Sequence, residues 1–355
     1  MSDWPDTRFR ELLRSRLPII AAPMAGAAGV ELAVAAIRGG GVGSLPCAML
    51  TPDQVRAESE EVRQRAQGPL NLNFLCHAMP EPPDEGQWVE SLAPYYGLEN
   101  VMPAVESPPL RRPFDEAMCA VVEEVRPEIV SFHFGVPEER LVRRLFATGA
   151  RILGNATTPE EAAILALRGC DAIIAQGFEA GGHAGYFMDG HQPVGLFALV
   201  RQIACNLPLP VIAAGGIVDG RGVAAAMLLG ASAVQIGTAY LATPESRIAA
   251  PHREKLGTLS GEGTVFTNLF SGREARGLRN RLIYDEGPMR ADVPPFPYAS
   301  AALAPLRAAA EADGRGDYSP MWAGQAAALA HPIGAQELTE TLGRDALALL
   351  TGSKE

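Results

Sequence analysis

A (β/α)8 barrel is the fold class this sequence predicts, and three observations predict it. Eight short apolar runs ending in small residues recur along the first two thirds of the chain, and stretches of helical pattern separate them. The runs are nearly continuous in hydrophobicity rather than alternating, the pattern of parallel strands whose outer face is covered by helices. No G-x-G-x-x-G fingerprint opens a helix after the first run, as a doubly wound dinucleotide-binding sheet would require. That open sheet is the structural alternative.

The predicted strands are 18–23, 41–46, 69–74, 128–135, 151–157, 172–177, 210–216 and 233–241, and the helical patterns between them are 30–38, 52–67, 114–125, 137–148, 159–168, 196–205 and 221–229. Two helices announce their starts: Thr51-Pro52-Asp53 and Thr158-Pro159-Glu160-Glu161 put a capping hydroxyl before proline, with acids in the first turn. Two segments break the rhythm. Residues 76–113 hold eight prolines, among them Pro108 and Pro109, and read as a structured excursion with short helical pieces. After the eighth strand, residues 244–314 form a small helical unit expected to cap the barrel mouth. The barrel then comprises 1–243, with 315–355 returning to supply the eighth outer helix.

Composition narrows the function class. Hydrophobic residues at 47% against 20% charged exclude a disordered chain. A net charge of -11 without a basic run excludes a broad nucleic-acid surface. Cys47, Cys76, Cys119, Cys170 and Cys205 are widely spaced with no C-x-x-C pair, so they read as reduced packing thiols and no metal site is expected. Residues 1–16 are charged throughout, unlike a signal peptide, and no later run is long enough to span a bilayer; a cytoplasmic location is expected. Homo-oligomer formation stays open.

A histidine stands just past the sixth predicted strand, in Gly177-Phe178-Glu179-Ala180-Gly181-Gly182-His183-Ala184-Gly185. Residues without a Cβ let the backbone turn sharply and approach a flat or anionic ligand. At a barrel strand's C-terminal end this reads as an active-site loop; a histidine that merely bonds a neighbouring carbonyl is the alternative. Gly215-Gly216 and Gln235-Ile236-Gly237-Thr238 follow the seventh and eighth strands, where barrels bind phosphate on exposed backbone N–H groups and helix N-termini. Close strand–helix packing is the other use of such glycines. Asn73, His133, Asn155 and Gln176 lie at or near other strand ends and offer uncharged donors and acceptors to a planar ring such as an isoalloxazine.

Several segments together resemble the nitronate monooxygenases, formerly called 2-nitropropane dioxygenases, and within them class I. These are Ala21-Ala22-Pro23-Met24, Asn71-Leu72-Asn73-Phe74, Ser131-Phe132-His133-Phe134-Gly135, the loop from Glu179 to Gly185, the segments Ala213 to Ile217 and Gln235 to Thr238, and Phe270-Ser271-Gly272-Arg273-Glu274-Ala275-Arg276-Gly277. The resemblance implies a TIM barrel holding noncovalent FMN, with His183 as the catalytic histidine near the flavin face. It places the flavin contacts on Ala22, Pro23, Met24, Asn73, Gln176, Gly181, Gly182, Gly215, Gly216, Gln235, Ile236, Gly237 and Thr238, with His133 under or beside the ring. The implied reaction is oxidative denitrification of an alkyl nitronate, propionate 3-nitronate in class I, consuming O2 and releasing nitrite and a carbonyl product. Nitroalkanes are the related neutral substrates.

Arg273 and Arg276 are open to two readings, a substrate-carboxylate clamp or a structural ion pair, and Tyr298, Tyr318 and Trp322 to pocket lining or aromatic packing. FMN-dependent enoyl-acyl-carrier-protein reductases carry a similar Glu-Ala-Gly-Gly-His loop, so that loop alone does not separate the two activities. An NAD(P)H:quinone reductase and a non-enzymatic flavin-binding protein are the further alternatives.

Overall fold

The computed structural model describes residues 4–104, 110–190, 192–258 and 263–352. Pro108, Pro109 and the extreme ends of the chain lie outside them. The described strands, in chain order, are β1 (Ile19–Ala21), β2 (Gly43–Pro46), β3 (Leu70–Leu75), β4 (Ile129–His133), β5 (Arg151–Ala156), β6 (Ala172–Gln176), β7 (Gly182–His183), β8 (Val211–Ala214), β9 (Ala233–Ile236), β10 (Thr264–Thr267) and β11 (Ala275–Leu278).

Eight of them form one all-parallel sheet in the order β1-β9-β8-β6-β5-β4-β3-β2. Its two edges meet through the Ile20–Val42 bridge, where Ala21 N–H donates to Val42 O at 3.0 Å and Val42 N–H to Ile19 O at 2.8 Å. The sheet is thus a closed TIM barrel. Around that ring β8 and β9 face β3 and β4 across the barrel.

The interior is layered. Phe9 and Leu13, on the N-terminal helix Arg8–Leu13, pack with Ile20, Val42, Ile129, Leu153, Ile174 and Ile212 into an apolar floor. Above it lie polar pairs: Asn71 Nδ2 donates to Ser44 Oγ at 3.0 Å, and Asn73 Nδ2 to Ser131 Oγ at 3.0 Å. Burying the amide N–H groups there is tolerable because serine hydroxyls of the neighbouring strands accept from them.

Outside, the predicted helices are present. Thr51 and Gln54 form a reciprocal capping box, and Thr158 Oγ1 accepts from Glu161 N–H. The C-terminal helix Ala335–Thr351 packs on Val30–Arg38 and Gly220–Leu228 in the outer ring. A buried hydrogen bond of 2.7 Å between Tyr240 and Thr339 hydroxyls ties it to the segment after β9.

Two predicted elements differ in detail. The eighth strand ends at Ile236, and Thr238–Leu241 is a short helix, because Gly237 turns the chain out of the sheet. Residues 244–314, expected to be helical, contain strands as well: β10 and β11 pair antiparallel, and β11 also pairs with β7. The Pro-rich excursion joins this unit. Its helices Gly86–Ser91 and Ala93–Glu99 bring Trp88, Leu92, Tyr95 and Tyr96 into a second core with Leu269, Phe270, Leu282, Leu303, Leu306 and Tyr318. Among the described residues no helix is long and apolar enough to cross a membrane, no side-chain group is arranged to hold a metal ion, and the five cysteines are free.

Candidate active site

The C-terminal ends of the barrel strands open into a cavity of about 510 Å³, roofed by the second unit. From β1 come Ala22, Pro23 and Met24; from β3 and β4, Asn73 and His133; from the loop after β6, Gln176, Gly181, Gly182 and His183. Gly215 and Gly216 after β8, and Gln235, Gly237 and Thr238 around the end of β9, complete the wall. Every predicted site residue except Ile236 therefore lines one space. Strand alternation explains the exception: Gln235 faces the barrel interior, so Ile236 faces the helices, where it is buried in the main core. Its carbonyl accepts from Ala22 N–H at 2.9 Å.

The loop carrying His183 is held from below and from the side. Gln176 Oε1 accepts from Gly185 N–H at 2.8 Å and from Asn155 Nδ2 at 3.1 Å, while Gln176 Nε2 donates to His183 O at 2.9 Å. Laterally, His183 pairs with Ala275 of β11, so the predicted loop ends in a two-residue strand too short to show periodicity. Gly181 permits close approach: a Cβ there would lie 2.5 Å from the backbone of both Ala323 and Gly324.

The His183 ring is fixed by chemistry as well as by packing. Ser271 Oγ donates to Arg273 O at 3.2 Å, which leaves it to accept from His183 Nε2–H at 2.9 Å. The neutral ring then keeps its lone pair on Nδ1. Phe296 and Trp322 flank it at centroid distances of 5.3 and 5.6 Å. Burial first, then the positive charges of Arg111 and Arg273, hold the His183 pKa well below the usual histidine value. His133 is pushed down to about 4, by burial and then by Arg273.

Two lining amides retain unused acceptors: Asn155 Oδ1 and Gln235 Oε1 are buried without a hydrogen-bond partner. A buried acceptor left unmade is costly, so a ligand with hydrogen-bond donors on its edge fits here. Across the barrel floor from Asn73, Gly215 and Gly216 adopt φ of +124° and +68°, a backbone conformation that favours glycine. They precede the helix Gly220–Leu228, whose N-terminal partial charge favours an anion.

The two arginines of the 270–277 segment do not line the cavity. Arg273 lies over the rings of Phe134 and Tyr186, at 4.1 and 4.2 Å, and donates to Tyr186 O. Arg276 is sandwiched by Phe178 and Phe266 and donates to Phe178 O at 3.1 Å. Both clamp the active-site loop rather than present a free guanidinium. Tyr318 and Trp322 do line the cavity, whereas Tyr298 donates to Pro80 O instead.

Sequence reasoning missed three cavity arginines, Arg111, Arg247 and Arg307, set against one lining acid, Glu311. They come from separate segments, and no local pattern marks them. The result is a positively charged cavity in a chain of net charge -11, an arrangement that concentrates anions.

Known proteins agree with this geometry. The sequence pattern of the family described as nitronate monooxygenase matches residues 6–345. Nitronate monooxygenase of Pseudomonas aeruginosa is 43% identical over 342 residues, 94% of this chain and 97% of that protein. The structure of nitroalkane oxidase from Streptomyces ansochromogenes superposes with a TM-score of 0.88 at 34% identity, covering 98% of this chain and 100% of the other. That of FabK from Thermotoga maritima has a TM-score of 0.74 at 27% identity, covering 97% of each chain. With the match extending from the N-terminal plug of the barrel into its C-terminal helix, the chain belongs to the nitronate monooxygenase family of oxidoreductases.

Proposed function

We propose that the enzyme oxidises alkyl nitronates with FMN and O2, releasing nitrite and a carbonyl compound, and that propionate 3-nitronate is its substrate. The observation that carries this reading is the meeting of His183, two unsatisfied amide acceptors and two glycine-rich strand ends in one electropositive cavity. Asn73, Asn155, Gln176 and Gln235 would hold the flavin ring, with Met24 against it, and the backbone of Gly216 and the segment Gly237-Thr238 would hold the phosphate. FMN held there would supply the redox chemistry that links oxidation of the nitronate to reduction of O2.

The protein's own residues bind and orient. Positive charge in the cavity attracts the anionic nitronate and disfavours its reprotonation. His183 stands beside the substrate with Nε2 committed to Ser271, which fixes the ring plane. Its Nδ1 lone pair suits acceptance of the Cα proton when the substrate is a neutral nitroalkane. A nitronate has already lost that proton, so for it the neutral ring acts by position, its plane fixed against the substrate by the bond to Ser271. Phe296, Phe134 and Trp322 keep water from the ring.

The test is steady-state turnover of the yellow holoenzyme. O2 uptake with propionate 3-nitronate and matching nitrite, in the absence of NAD(P)H, is expected. Rapid flavin reduction by NADH with no nitrite from nitronate would instead indicate an enoyl or quinone reductase, and bound flavin inert to every substrate a binding protein.

A further inference from the structure

We propose that Glu161 is a positioning residue for His183: its buried carboxylate pins the segment that follows the histidine and so keeps the imidazole in the plane and tautomer the reaction uses. The inference rests on the nitronate reading of the cavity. Glu161 itself lies outside the cavity wall, on the helix Pro159–Leu167 that follows β5. Its side chain is 1% exposed, and each of its two oxygens accepts two hydrogen bonds. Oε2 takes Thr157 N–H at 2.7 Å and the Thr157 hydroxyl at 2.8 Å, while Oε1 takes Phe187 N–H at 2.6 Å and Met188 N–H at 3.3 Å. Helix capping does not require that arrangement. In a capping box the acid at this position returns to the N–H of the capping residue, here Thr158, whereas Glu161 reaches past it and gives a whole oxygen to a loop 26 residues away.

Those two loop bonds complete a circuit around the histidine. His183 O accepts from Gln176 Nε2 at 2.9 Å, Ala184 N–H donates to Glu274 O at 3.0 Å, and Gly185 N–H donates to Gln176 Oε1 at 2.8 Å. Tyr186 O accepts from Arg273, and the N–H groups of Phe187 and Met188 end on Glu161. Each residue from His183 to Met188 is thus held through its backbone. Arg273 also links back to the ring: its carbonyl accepts from Ser271 Oγ at 3.2 Å, and that hydroxyl accepts from His183 Nε2–H at 2.9 Å. A shift of Tyr186 therefore moves Arg273, and with it the serine that sets the tautomer. A carboxylate suits the position because both of its oxygens only accept; the isosteric amide of glutamine would aim an NH2 at N–H donors on one side or the other and leave them unpaired in a buried place.

The experiment compares the native holoenzyme with Glu161→Gln, Glu161→Asp and Thr158→Ala. Aspartate keeps an acid in the first turn of the helix but is one methylene too short to reach the loop, and Thr158→Ala removes the cap of the same helix while leaving the carboxylate in place. Flavin content and Tm establish folding; where Glu161→Gln does not retain flavin, Glu161→Asp decides alone. With propionate 3-nitronate, kcat should fall about 100-fold in both Glu161 variants while KM changes little, the cost of misplacing a positioned group by about 1 Å. Thr158→Ala should lower Tm and leave kcat near the native value. A second readout needs no turnover: in holoenzyme isotope-labelled on the histidine ring nitrogens, the His183 signals, assigned with His183→Asn, should show a single tautomer with its hydrogen on Nε2. In both Glu161 variants they should shift toward an average of the two tautomers. Native kcat in the Glu161 variants, an unchanged ring signal, or an equal loss of kcat in Thr158→Ala overturns the proposal. If the ring signal shifts in the Glu161 variants while neither they nor the native protein oxidise a nitronate, the positioning stands and the nitronate reading fails.

Discussion

His183 is placed by backbone pairing and tuned by neighbours that are distant in sequence. Its position past the sixth strand was legible from the apolar run before it and the glycines around it. Its protonation state was not, because Ser271, Arg273 and Arg111 reach the ring only through the fold. With a pKa well below the ordinary histidine value, the free enzyme carries a neutral ring throughout the physiological range. His183→Asn keeps a side chain of similar polarity, so FMN content should be unchanged while kcat/KM with nitronate falls on the order of 100-fold or more. Equal kinetics in the two proteins across pH would remove His183 from the mechanism. His133 and Gln176 were visible for the same reason as His183, each ending a strand, and Asn73 stands two residues before the end of β3. The side chain of Ile236 stands off the cavity because strand alternation turns one side chain inward and the next outward, which a contiguous motif hides.

Among elements, the barrel strands and their capped helices were readable because periodicity and caps are local signals. The two-residue strand β7 was not, since its existence depends on β11, about ninety residues later. The excursion is a similar case: its prolines marked an irregular path, but nothing local indicated that Trp88 and Tyr96 would pack on 299–302, where their polar atoms donate to Ala299 O and Ala302 O. The active-site loop meets the returning C-terminal chain where Gly181 packs on Ala323-Gly324. Gly181→Ala should push these backbones apart, costing about 1–3 kcal/mol of stability and weakening flavin retention. Thermal unfolding and flavin release during dialysis check this; a variant with native Tm and flavin content would show that the contact yields freely.

At the scale of the molecule, an acidic exterior surrounds a cavity with more arginines than acids, a contrast that net charge alone conceals. Several histidines are buried in this interior: His77 and His252, like His133, are pushed down to about 4, mainly by burial. Above their ordinary value of 6.5 they are neutral whether folded or unfolded and contribute nothing to pH dependence. Below it the unfolded chain takes up protons that the folded one refuses, so stability falls by up to about 1.4 kcal/mol per pH unit for each histidine. That loss continues until the folded groups protonate near pH 4. Urea midpoints should therefore drop from pH 7 to pH 5, and a flat profile would show that these rings reach water before unfolding.

The central claim, a flavin cavity that takes electrons from a nitronate, is tested most directly by mixing the holoenzyme with propionate 3-nitronate without oxygen and following the flavin absorbance. Rapid loss of the oxidised flavin band, reversed on admitting O2 and accompanied by nitrite, is the predicted result. An unchanged spectrum in the presence of saturating nitronate would contradict it.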